Sequence, residues 1–107
     1  MLNRGTRTAL CSAQAQGVSG SWVNINNFVG PSGMCNVRSR GTWGGTTLTI
    51  RIAEDSSGTG AQTITSASYT ADFAQNYTMP RDCFVQVVTT GGAGASLTVT
   101  ASPLSSD

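Results

Sequence analysis

Hydrophobic and polar residues alternate with a period of two along much of this chain. The clearest case is Thr47-Leu-Thr-Ile-Arg-Ile52, where Leu48, Ile50 and Ile52 share one parity and Thr47, Thr49 and Arg51 the other. Successive side chains leave opposite faces of a pleated strand, so this pattern predicts a strand with one face buried. Its β-branched Thr and Ile suit an extended backbone. The glycine-rich Gly41-Thr-Trp-Gly-Gly45 precedes it, and Glu54-Asp-Ser-Ser-Gly-Thr-Gly60 ends it with turn residues. This strand is expected at the centre of a small sheet.

Similar reasoning places the other elements. Ser21–Val29 predicts a strand with Val23 and Ile25 set against Trp22, Asn24 and Asn26. After the Gly30-Pro-Ser-Gly33 turn, Met34–Arg40 predicts another, with Cys35 and Val37 inward and Asn36, Arg38 and Arg40 outward. Ala61–Ser66 is a weaker strand around Ile64. Ser68–Met79 reads as one or two short strands with a bend near Ala74–Asn76. Cys83–Thr89 and Ser96–Ala101 are strongly β, joined through Thr90-Gly-Gly-Ala-Gly-Ala95, which reads as a hairpin connection. About seven short strands with frequent turn signals predict an all-β fold, a compact antiparallel β-sandwich over residues 18–102. Residues 103–107 are a short tail. Residues 1–17 are polar and small, without a firm period, and predict an extended arm ordered against a partner or a neighbouring subunit. Arg4, Arg7 and Leu10 would then be contact residues; the alternative is a frayed, solvated terminus.

Composition sharpens this picture. A chain of 107 residues predicts one domain. Only 10% of residues are charged, against about 25% in typical proteins, so the surface is hydroxyl-rich. Either much of it is covered in an assembly, or the protein is a polar monomer solvated through its hydroxyls. There is no Lys and no His, and the six Arg are scattered along the sequence with a net charge of +1. That distribution argues against a nucleic-acid partner, which needs a clustered basic face. The first residues lack the apolar core of a secretory signal, and no run has the length of a membrane span, so a soluble protein used without export and without a membrane partner is expected.

The same residues limit the chemistry. Without His there is no base for a Ser or Cys nucleophile, and without Lys there is no Schiff-base chemistry. Zinc has no imidazole ligand, and Cys11, Cys35 and Cys83 are too dispersed for a thiolate site. No enzyme, metal or cofactor is therefore expected. The cysteines read as small buried residues, with a Cys35–Cys83 disulfide across two sheets as the alternative. Trp22 and Trp43 are candidate contacts with a partner or subunit, since buried aromatics favour interfaces. The competing reading sets them, with Tyr69 or Tyr77, as a sugar-stacking platform of a carbohydrate-binding module of the head-fibre or tail-adhesin type.

From Gly41 to Ala101 the succession of Gly-Thr-Trp-Gly-Gly-Thr-Thr-Leu-Thr-Ile, an acidic Gly turn, Tyr-Thr-Ala-Asp-Phe, Pro-Arg-Asp-Cys-Phe-Val-Gln-Val-Val, a Gly-rich connection and Ser-Leu-Thr-Val-Thr resembles small structural proteins of tailed bacteriophages. The first 40 residues carry none of it. The resemblance implies a β-sandwich virion part, such as a capsid decoration (cement) protein on the major capsid protein shell. It also implies a homo-oligomer, trimer before dimer, assembled in the host cytoplasm and carried on the capsid surface. It brings no catalytic residues.

Overall fold

The computed structural model describes residues 7–27, 33–80 and 83–103. Its strands are β1 (Thr8–Gln14), β2 (Val23–Asn24), β3 (Met34–Thr42), β4 (Thr47–Ala53), β5 (Gln62–Tyr69), β6 (Ala74–Thr78), β7 (Phe84–Thr90) and β8 (Ser96–Pro103). One four-stranded sheet runs β1-β8-β3-β6 and the other β2-β7-β4-β5. All pairings are antiparallel. The architecture is the all-β sandwich that the alternation predicts. β4 lies inside its sheet, between β7 and β5, as its pattern requires.

The core follows parity. Cys35 and Val37 of β3, Leu48 and Ile50 of β4, Val85 and Val87 of β7, and Leu97, Val99 and Ala101 of β8 are fully buried between the sheets. Each larger aliphatic side chain removed from water in this way contributes roughly 1.5 to 3 kcal/mol. Ile52 is only partly buried, while Ala53 beside it is enclosed.

Only β4 and β5 are consecutive strands of one sheet; every other connection crosses the sandwich. This corrects the hairpin expected over Thr90–Ala95: β7 and β8 belong to different sheets, so the connection is a corner. The β3–β4 corner packs against it, with Ala93 N donating to Gly44 O at 2.9 Å. Gly44 has φ 57°, and a Cβ there would collide with the Ala93 carbonyl. Only glycine permits that approach.

The largest correction concerns the amino-terminal segment. Residues 8–14 are no arm: β1 pairs with β8 through Thr8↔Ala101, Ala9↔Thr100, Cys11↔Val99 and Gln14↔Leu97. Leu10 is 4% exposed and belongs to the core. The register shifts twice along this pair, and Ala13 adopts φ 49°. These bulges erase the period of two. Gln14 is buried yet satisfied, its Nε2 donating to Val18 O at 3.0 Å and Val87 O at 3.2 Å. Thr89 Oγ1 donates to Ala15 O at 2.6 Å. Small polar residues thus tie β1 to β7 of the opposite sheet, and the sandwich begins at β1 rather than at residue 18.

Smaller differences follow the same logic. The strand expected over Ser21–Val29 is confined to Val23–Asn24 and passes into a 3-10 turn at Ile25–Asn27; residues 28 and 29 lie outside those described. The bend expected at Ala74–Asn76 falls earlier, before β6 begins. Cys11, Cys35 and Cys83 form no disulfide among the described residues, so the Cys35–Cys83 bridge does not form.

Candidate interaction surface

The outward parity of the β1-β8-β3-β6 sheet builds a polar face. Arg38 pairs with Thr100 across to β8 and with Ala74 across to β6; Arg40 pairs with Thr98. Directly opposed residues of an antiparallel pair share a face, so these side chains stand together. Asn36 Nδ2 donates to Asn76 Oδ1 at 2.8 Å on the same face. Arg7 immediately precedes β1, whose Ala9 pairs with Thr100. Arg7, Arg38, Ser39, Arg40 and Thr100 line a groove of about 270 Å³. Arg7, Arg38 and Arg40 are exposed, and among the described residues no carboxylate pairs with them.

Among the described acidic groups, Asp55 and Asp72 have partners of their own. Glu54 and Asp55 occupy the β4–β5 turn, where Asp55 Oδ1 accepts from Ser57 N at 2.9 Å and Thr59 N at 3.1 Å. Hydrogen bonds from Thr59, then Ser57 and Gly58, hold the Asp55 carboxyl below its ordinary value. Asp72 accepts the indole N–H of Trp43 at 2.7 Å. Glu54 and Asp55 are thus remote from the cationic groove, whereas Asp72 lies beside β3 at the groove's rim, because Phe73 N donates to Ser39 Oγ at 3.0 Å between Arg38 and Arg40.

The expected contact residues separate. Arg4 lies outside the described residues. Arg7 reaches the groove. Leu10 is spent in the core and offers no contact surface. Trp22 is half-buried over the β4–β5 turn, where a Cβ on Gly58 would come within 3.2 Å of its ring. Trp43 is half-buried against the core at the other end of β4. A seven-residue strand separates the two indoles, so they do not form one stacking platform. Tyr69 and Tyr77 are hydrogen-bonded to each other through their hydroxyls, and Tyr69 stacks on Phe73 with centroids 3.6 Å apart. These rings close the side of the sandwich between β5 and β6. Burial, then the Tyr69 hydrogen bond, pushes the Tyr77 phenol well above the usual range.

β5 and β6 are the sheet edges on that side. Neither strand contains a charged residue or a proline. Natural edges are commonly blunted by such residues. β1, the opposite edge, is blunted by its bulges.

Among the described residues, no three His, Cys, Asp or Glu side chains gather as a metal site, and no helix is long and apolar enough to cross a membrane. Burial pushes the Cys35 thiol up to about 11, and burial also raises Cys11. The groove residues that the sequence reading did not single out are Arg38 and Arg40. Their shared outward parity was visible in the sequence, but their meeting with Arg7 required the β1–β8 pairing. No protein-family model, curated protein or solved structure matches this chain.

Proposed function

We propose that this chain is a non-enzymatic structural protein of a virion, a capsid decoration (cement) protein that docks on the major capsid protein shell of a tailed bacteriophage. One observation carries the reading: Arg7, remote in sequence from Arg38 and Arg40, converges with them on a polar sheet face of an otherwise charge-poor protein, and none of the three is in an ion pair among the described residues. Such a face suits attachment to a surface of opposite charge, because complementary charge sets register and encounter rate. The phage-like succession of elements over residues 41–101 points the same way. The open β5 and β6 edges suit self-association as a trimer or dimer on a symmetric shell.

Mass spectrometry of purified particles of the source virus tests this. The protein is expected in the particle, and added protein is expected to co-sediment with shells that lack it. Its absence from particles overturns the proposal. Specific binding on a glycan array, lost in Trp22→Ala or Trp43→Ala, would instead favour a carbohydrate-binding module.

A further inference from the structure

We propose that the Arg7–Arg38–Arg40 groove is a carboxylate-recognition site that takes an extended acidic segment of a protein partner, with Asp or Glu at alternate positions. This deepens the docking reading by naming the chemistry of that face.

Arg38 and Arg40 are two residues apart on one strand and share a face. Such residues are separated by roughly 6.6 Å, the same repeat at which an extended partner presents alternate side chains. A guanidinium offers a planar fork that meets a carboxylate with two parallel hydrogen bonds. Arg7 supplies a third cation from β1's leading end, and the Thr100 position provides a polar border. The three guanidiniums repel one another and, among the described residues, none is held in an ion pair; the Asp72 carboxylate beside the same strand accepts from the Trp43 indole at 2.7 Å instead. A ligand carrying two or three carboxylates removes that repulsion.

The surroundings favour a peptide over nucleic acid. Neighbouring positions on this face are Ala9, Asn36, Ala74, Asn76 and Thr98, without an aromatic ring among them. Single strands are held by stacking on aromatic side chains. Duplexes are held by many phosphate contacts, and three arginines would neutralise about three phosphates at most.

The test is an NMR titration of the full chain, observing backbone amides and arginine Nε–H groups. The probe is a capped peptide of alternating Thr and Glu, compared with its Gln counterpart, inorganic phosphate and a single-stranded oligonucleotide. Saturable shifts are expected at Arg7, Arg38 and Arg40 and along residues 98–100 with the Glu peptide, and none with the Gln peptide. Arg38→Gln with Arg40→Gln should weaken binding about tenfold, as loss of two exposed charge pairs implies. These outward substitutions leave the amide spectrum otherwise intact. Arg38→Lys with Arg40→Lys should also weaken binding, because the fork is lost while the charge stays. Equal binding of the Gln peptide, tighter binding of the oligonucleotide, or shifts confined to another face overturns the inference. If the double Gln variant still binds shells as wild type and the Glu peptide causes no shifts, the groove inference fails while shell docking stands. If the Glu peptide binds the groove but the protein is absent from particles, the virion reading fails and the groove stands.

Discussion

At the scale of single residues, the two glycine-rich corners impose the sharpest constraint. Gly44 combines a left-handed backbone with direct contact to the Ala93 carbonyl. Gly44→Ala therefore suffers both an unfavourable φ and a collision with backbone that cannot swing aside. It should lower stability by about 2 to 3 kcal/mol, more than a glycine replacement at an unstrained site. Urea denaturation measures this directly, and a change below about 0.5 kcal/mol would mean that the corner yields easily. Cys35 sets a second residue-scale expectation. It is fully buried and its thiol is pushed up to about 11 by that burial. The thiolate is the reactive form, so alkylation at pH 8 should spare Cys35 in the folded protein and label it only on unfolding. Peptide mapping after a timed reaction reads the result; rapid native labelling of Cys35 would show that the β3 region opens locally.

Elements show why part of this fold is legible in sequence and part is not. β3, β4, β7 and β8 announce themselves because alternating aliphatic residues face one shared core. β1 does not, because two register shifts and a left-handed Ala13 break its period, and its buried Gln14 is accommodated through hydrogen bonds rather than through apolarity. The corner between β7 and β8 is equally silent, since a glycine-rich loop can close a hairpin or cross between sheets, and only pairing of β8 with β3 and β1 decides. The arginine groove was half legible. Parity set Arg38 and Arg40 outward, but Arg7 joins them only through β1. Two consequences test the role of β1. Leu10→Ala should cost about 2 to 4 kcal/mol, as expected for an enclosed leucine. Removal of residues 1–14 should abolish cooperative folding, because it strips one strand from β8 and cuts the Gln14 links to β7. A truncated protein with a wild-type thermal transition would return β1 to the status of a detachable arm.

Over the whole molecule, the absence of histidine determines how stability responds to pH. Histidine is the side chain whose ordinary value falls between about pH 5 and 8, and this chain has none. Stability should be flat across that interval. On the acid side, the folded Asp55 carboxyl lies below its ordinary value of 3.8, held there by Thr59 and then Ser57 and Gly58. A depressed acid contributes stability above its unfolded value and loses it as the pH falls through the folded one. Acid destabilisation from this group therefore begins only below about pH 4. On the alkaline side the sign reverses. Cys35, Cys11 and Tyr77 all have raised values in the folded protein, chiefly through burial. The unfolded chain releases these protons first, so the folded state loses ground as pH rises above about 9. Holding the Cys35 thiol to about 11 against 9.0 corresponds to about 2 to 3 kcal/mol, present below pH 9 and lost progressively toward pH 11. Thermal denaturation from pH 3 to 11 should trace a broad plateau with a steep alkaline limb. Cys35→Val keeps the volume but removes the titrating thiol, and should make that limb shallower without moving the plateau's acid edge. An unchanged alkaline limb in Cys35→Val would leave Cys11 and Tyr77 as its source, and Cys11→Ala and Tyr77→Phe would then separate the two.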